Sequence, residues 1–342
     1  MREARYQPSA TKLFDGRVLV VAGRGVDANF LSSAEIFDPE NNTWSSAGSL
    51  ATARYYHRAT LLADGRVVVT GGINRGGVQK SVEIYDPKMN AWSTLPSMTN
   101  SRHEHIALED SQGLLVVAGG VNPSTPQMSH SEFYSFALGR WQVGADLPLR
   151  VANPGISGVT VDGRQYFVGG YGDDGYATNQ VLTFTRSSSH ALSWQVGPTT
   201  IEPRHYASVD VLSSGRIIVA GGILGDSLAM SSTEILDTIN GKWKPGPTLV
   251  EASWDHRSIA LPDGGMIILG GVTKGLAVTS RVEMLELKAT KFQLIAPLNQ
   301  ARYGAYAVRL DDGRVLVGGG SGAYNAQDKW LSSVEISCNK VN

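Results

Sequence analysis

With Cys338 as its only cysteine in 342 residues, the chain has no means of stapling itself with an internal disulfide. That usage leans toward a reducing compartment. No apolar run is long enough to span a bilayer, and Met1 to Arg5 lacks the apolar core of a signal segment. The expectation is a soluble cytoplasmic protein, or a secreted one if a signal segment was removed. Neither charge sign dominates: 30 Lys and Arg stand against 31 Asp and Glu, a net charge of −1, with no basic tract. A partner of the nucleic-acid or anionic-membrane type is therefore not expected. Also missing are a Gly-x-Gly-x-x-Gly opening a helix, a phosphate-cradling loop and a Gly-x-Ser-x-Gly elbow, so nucleotide-dependent and elbow-type hydrolase chemistry have no support. His57, His105, His205 and His256 show no fixed ligand spacing, and neither a metal nor a cofactor is expected.

Against these absences stands one strong presence, a block of about 49 residues repeated seven times. Each copy carries an apolar run ending in glycine: Val20-Val21-Ala22-Gly23, Val69-Thr70-Gly71-Gly72, Val117-Ala118-Gly119-Gly120, Phe167-Val168-Gly169-Gly170, Val219-Ala220-Gly221-Gly222, Ile268-Leu269-Gly270-Gly271 and Val317-Gly318-Gly319-Gly320. A turn such as Asp15-Gly16, Asp64-Gly65 or Asp312-Gly313 precedes most of these runs, with another apolar run before it. Two apolar runs around Asp-Gly read as a β-hairpin. About ten residues after the glycines comes an alternating segment, as in Ser33 to Asp38 or Ser81 to Asp86, which reads as a half-buried third strand. A polar turn then leads to an aromatic, Trp44, Trp92, Trp141, Trp194, Trp243 or Phe292, opening a fourth.

Four antiparallel strands per copy, the second continuously apolar, suit a blade squeezed between two neighbours in a β-propeller. The paired glycines closing strand b, the Tyr-Asp or Phe-Asp closing strand c and the Trp opening strand d resemble the kelch repeat. The resemblance covers Tyr6 to Ser337 and implies a seven-bladed kelch-type β-propeller, a single domain over 1–342 with repeats at approximately 6–50, 55–99, 103–148, 152–199, 204–249, 254–298 and 303–338. Repeat seven stops before any Trp-bearing fourth strand. Either its blade has three strands, or the chain is trimmed, or Met1 to Arg5 pairs there as a clasp. The copper-radical oxidases that share the architecture need a cysteine bonded to a tyrosine, and Cys338, at the end of an outer strand, does not suit that role.

Residues that every copy repeats belong to the scaffold, so chemistry belongs where the copies differ. The strand-c glutamates Glu35, Glu83, Glu132, Glu234, Glu283 and Glu335 read as a recurring contact. The loops from strand d to the next strand a read Arg5-Tyr6, Arg54-Tyr55-Tyr56-His57, Arg102-His103-Glu104-His105, Arg150-Val151-Ala152-Asn153, Arg204-His205-Tyr206, Trp254-Asp255-His256 and Arg302-Tyr303. The resemblance implies that these loops and the b-to-c loops ring a central channel where partners and ligands bind. The six arginines are either repeated structural forks or a set of cations that attracts anions.

The ligand-binding candidates are Arg54, Tyr55, Arg102, Arg150, Arg204, His205, Tyr206, Trp254, Asp255, Arg302 and Tyr303, with Asn74, Asn122 and Tyr171 from the b-to-c loops. The candidate acid-base groups are His57, His103, Glu104, His105 and His256, since histidine titrates near neutrality and a carboxylate neighbour orients it. Two functions follow: a binding module for a small anionic or sugar-like ligand or an acidic peptide, or a cofactor-independent isomerase, lyase or cyclase. The loop Ser321 to Leu331, carrying Trp330, is expected to act either as a partial lid or as an ordinary exposed loop.

Overall fold

In the computed structural model, residues 1–27, 29–124, 128–152, 159–186, 192–225, 228–325 and 329–337 are described. Asn153 and Cys338 fall outside them. Every regular element among the described residues is a β-strand, and none is a helix long and apolar enough to cross a membrane.

Seven sheets follow one another as the blades of a β-propeller, six of them built in the order a-b-c-d. Blade one consists of Ser9–Lys12, Val18–Val21, Ser33–Asp38 and Thr43–Ser49, all antiparallel. Blades two to six repeat the plan. Blade seven has three strands among the described residues, Tyr306–Arg309, Val315–Gly318 and Val334–Ile336. Met1 to Arg5 adds no strand there. Instead the Arg5 N–H donates to the Leu331 carbonyl, and Met1 packs beside Tyr306, Leu310 and Leu316.

The chain divides into two compact units. Blades one, two, three and the strands of blade seven form the first, over 1–146, 305–320 and 327–340; blades four, five and six form the second, over 147–304, 321–326 and 341–342. Within each unit the core lies between successive blades. Leu19, Val21, Ala34 and Ile36 of blade one meet Val67, Val69 and Tyr85 of blade two, and Val168, Val181 and Tyr166 of blade four meet Val209, Val219 and Leu236 of blade five. Strand b of blades one, two and five is buried along its whole length because a neighbour covers each face. Outside this core, the indole N–H groups of Trp92, Trp141 and Trp243 donate to carbonyls of the preceding blade at Ala47, Pro96 and Pro198.

Strand c is more buried than alternation implies. In Ser33–Asp38 the residues Ala34, Glu35, Ile36 and Phe37 are all buried. The polar member of the alternation is itself inside, because a buried arginine meets it. Arg54 donates through Nη1 to the Gly71 and Ser81 carbonyls at 2.8 and 3.0 Å and through Nη2 to Glu83 Oε1 at 2.7 Å. Glu83 also accepts the N–H groups of Ala51 and Thr52 from the preceding loop. The same clamp joins Arg102 to Glu132, Arg204 to Glu234 and Arg5 to Glu35. Four of these arginines, with Arg302, are fully buried. Each charge is covered by backbone groups as well as by its partner, which a buried pair requires.

Cutting one side of such a clamp leaves the other charge buried alone, at a cost of about 3–5 kcal/mol. Glu132→Ala is therefore expected to lower the urea midpoint far more than Glu40→Ala, an exposed control. Equal effects in the two denaturation curves would show that the clamp carries no such weight.

Candidate functional site

Backbone register, rather than residue type, aligns the d-to-a loops. In each blade one loop residue bridges the residue that follows the glycine pair: Tyr6 with Arg24, Tyr55 with Ile73, His103 with Val121, Ala152 with Tyr171, His205 with Ile223, Trp254 with Val272 and Tyr303 with Ser321. The residue before it holds the clamp position. That residue is Arg5, Arg54, Arg102, Arg204 or Arg302 in five blades, Val151 in blade four and Ser253 in blade six.

Two alignments made on residue type are thereby corrected by one position. Arg150 precedes the clamp position and is exposed, and Trp254 follows it, standing where Tyr55 and His103 stand. Arg54, Arg102, Arg204 and Arg302 are withdrawn from the ligand-binding set, because each is fully buried, the first three in ion pairs with strand-c glutamates. In blade six Glu283 keeps its place without that arginine. Burial pushes its carboxyl up, and Arg281, two residues earlier in the chain, approaches it at 3.8 Å.

The histidines divide in two. His57, His105 and His256 occupy the third residue after the clamp position and are buried. Nε2 of each meets a hydroxyl of the preceding blade: Ser9 Oγ at 2.8 Å, Thr70 Oγ1 at 2.8 Å and Ser208 Oγ at 3.1 Å respectively. Glycine lets the rings come that close, since a Cβ on Gly71 would stand 2.8 Å from His105 Cε1 and one on Gly221 2.7 Å from His256 Cε1. These three rings join blades and are withdrawn as acid-base groups. Burial holds His57 down at about 3, with Arg54 and Arg58 adding to it, and His256 at about 4. His103 and His205 instead occupy the bridging position among aromatic neighbours.

Those neighbours form a run on each unit. On the first, Trp330 stacks on Tyr6 at 6.2 Å, Phe30 meets Tyr55 at 5.5 Å, Tyr55 meets Tyr56 at 4.3 Å, and Tyr56 stacks on His103 at 6.1 Å. Glu104 Oε2 stands 3.7 Å from His103 Nδ1, while burial lowers the His103 pKa. On the second, Tyr171 meets His205 at 4.4 Å, Tyr206 meets Trp254 at 5.5 Å, and Tyr324 touches both Trp254 and Tyr303. Asp255 pairs with Arg257. Trp330 is buried in its stack on Tyr6. Asn74 and Asn122 shape their own loops, Oδ1 accepting the N–H of Gly76 and of Ser124 respectively.

Two features separate this surface from scaffold. The residue after the bridging position adopts a left-handed backbone with a side chain present in Gln7, Tyr56, Glu104, Tyr206 and Asp255, at φ from +48° to +54°; only blade seven uses glycine there, Gly304. Keeping a side chain in that conformation costs about 1 kcal/mol each. Moreover, the five side chains are of four types, with tyrosine at Tyr56 and Tyr206, so no single packing need explains them.

The other feature is Arg24, absent from the candidates above. Its guanidinium carbon lies 5.2 Å from the Trp330 ring centre and 5.8 Å from that of Tyr55, and among the described residues no carboxylate pairs with it. Its Nε is buried without a hydrogen-bond partner. The signal was present in the repeat itself, since the residues following the glycines are Arg24, Ile73, Val121, Tyr171, Ile223, Val272 and Ser321, with one charge among seven. Among the described residues no group of three or more His, Cys, Asp or Glu side chains is placed to hold a metal ion.

A family model described as the Kelch motif matches residues 13–51 and 54–99. The F-box/kelch-repeat protein At1g67480 of Arabidopsis thaliana is 46% identical over 52 residues, which are 15% of this chain and 14% of that protein. Among solved structures, a fungal alcohol oxidase of the AA5 family in complex with copper superposes with a TM-score of 0.77 at 17% identity, over 98% of this chain and 74% of its own. The structure of YjhT superposes with a TM-score of 0.65 at 17% identity, over 86% and 99%. At that identity the two structures speak for the fold alone.

The sealed histidines set the acid limit of stability. Their folded pKa values lie below the unfolded value near 6.5, so the stability they contribute is complete above that pH and is lost as pH falls toward about 4 for His256 and 3 for His57. Each contributes up to about 1.4 kcal/mol per pH unit in that window. Asp210, pushed up to about 6 by burial, acts in the opposite direction, as do Glu109 and Glu283, whose carboxyls burial also raises, but the buried histidines are displaced further. Calorimetry is expected to show Tm level near neutrality and falling below pH 6, with the fall reduced in His57→Gln. A Tm unchanged between pH 7 and 4 would mean that the rings are not held neutral.

Proposed function

This chain is a kelch-repeat β-propeller, and we propose that it binds a small ligand carrying both a carboxylate and a face that stacks, such as an acidic sugar, on the aromatic run of its first unit. Arg24 carries the proposal. With the clamp arginines occupied inside the blades, it is the guanidinium that this surface offers to an anion. Trp330 and Tyr55 cover its faces and leave N–H edges for a carboxylate, a geometry that planar guanidinium groups favour. Tyr6, Tyr55 and Tyr56 supply rings with a polar tip, suited to the mixed polar and apolar face of a sugar.

A second reading, proton transfer without a cofactor, contracts to His103 and Glu104. Glu104 is held in a left-handed backbone 3.7 Å from a histidine that burial keeps neutral. Such a pair suits a general base oriented by a carboxylate, with Tyr56 beside it.

Titration calorimetry with glucuronate, galacturonate, glucose and an acidic peptide discriminates these readings. Acidic sugars are expected to bind, with glucose at least tenfold weaker and Arg24→Ala losing tenfold or more, the worth of a charge-assisted hydrogen bond. Binding that ignores both the carboxylate and Arg24→Ala would remove the proposal. Turnover of a bound sugar abolished by His103→Gln would select the second reading.

A further inference from the structure

Blade four breaks the clamp on both sides. Strand register pairs Phe167 with Leu182 where other blades pair Val69 with Glu83, Val117 with Glu132 and Val219 with Glu234. Leu182 therefore holds the glutamate's place, as Val151 holds the arginine's. Removing both charges together leaves neither buried alone, which is why this blade tolerates the change. It also leaves space: a cavity of about 270 Å³ lies there, lined by Val151, Phe167 and Leu182 and by the exposed Arg150, Asp173 and Asp174.

The groups that an arginine would cap are still present. In blade two the guanidinium is held by the Gly71 and Ser81 carbonyls, and the equivalent Gly169 and Gln180 line this cavity, with Gly169 N–H on the Gln180 carbonyl as Gly71 N–H is on that of Ser81. On the glutamate's side the counterparts of Ala51 and Thr52 are Pro148 and Leu149. Proline has no N–H to leave unsatisfied, so one orphaned donor is already removed. The backbone of blade four is thus prepared for a guanidinium that its own sequence does not supply.

We propose that this cavity is a binding site for an alkylguanidinium ligand. Its methylenes lie on Phe167, Leu182 and Val151, as long cationic side chains lie along apolar surface. Its head caps the Gly169 and Gln180 carbonyls, and Asp173 and Asp174 supply the negative charge that Glu83 or Glu132 supplies inside other blades. Arg150, Asp173 and Asp174 are all exposed, so solvent screens all three, and the two aspartates outnumber the one opposing charge. The source is either a free small molecule or the arginine side chain of a peptide.

The test is thermal shift and titration calorimetry with agmatine, the peptide Gly-Arg-Gly, pentanol and pentanoate. Agmatine or the peptide is expected to raise Tm by a few degrees when in large excess over Kd. Binding of agmatine identifies a free ligand, and binding of the peptide alone identifies a side chain. Asp173→Asn with Asp174→Asn is expected to weaken binding about tenfold, and Arg150→Ala to strengthen it. Val151→Arg with Leu182→Glu rebuilds the clamp and is expected to abolish the response; if that variant does not fold, the aspartate and Arg150 variants decide. No response to either guanidinium, equal binding of pentanol, or pentanoate binding that Arg150→Ala destroys would each overturn the proposal.

Discussion

A buried arginine held by a strand-c glutamate and two backbone carbonyls is the interaction on which the blades depend. It ties the loop entering a blade to strands b and c, and its glutamate in turn holds the N–H groups of that loop. A charge pair at this depth is tolerable because the guanidinium is met by two backbone carbonyls as well as by the carboxylate, although the Nε of Arg102 and Arg204 stays unpartnered. The paired glycines belong to the same arrangement: a Cβ on Gly71 would stand 2.3 Å from the Arg102 carbonyl of the next blade. Without that close approach the loops could not bond to one another from blade to blade.

The requirement that the clamp be complete or absent explains the two irregular blades. Blade four discards both charges and gains a cavity. Blade six loses the arginine to Ser253 but retains Glu283, which still accepts the Val250 and Glu251 N–H groups and receives Arg281 from a position that four other blades give to serine. One blade met the desolvation penalty by removing charge, the other by bringing it from elsewhere. The same constraint shapes the surface, because arginines consumed inside blades are withdrawn from it, while Arg24 stays beside the Trp330 and Tyr55 rings.

Much of this was legible beforehand. Seven copies of an apolar run closing on glycine specify hairpins locally, and the Trp-bearing fourth strand and its absence from repeat seven follow from the same reading. The recurring glutamates were recognisable as scaffold because every blade but one carries them. Less legible was the division of the loop residues into sealed and presented. Arg54 and Arg24 are the same residue type a few positions from a glycine pair or a strand, yet one is enclosed and the other lies between two rings. His57 and His103 likewise differ by their place relative to the bridge, which residue type does not report. Arg150 carries the clamp's signature one residue too early.

The amino-acid order alone determined the repeat, the strands within it and the number of blades, since hydrophobic periodicity and turn chemistry act over a few residues. Pairing between segments distant in the chain decided the rest: that Val151 and Leu182 line one cavity, that His105 is sealed against Thr70, and that Arg24, near the other end of the chain, meets Trp330. Such contacts depend on which backbone atoms pair across the sheet and on what covers them afterwards. Burial of a charge is a property of that surrounding, not of the residue that bears it.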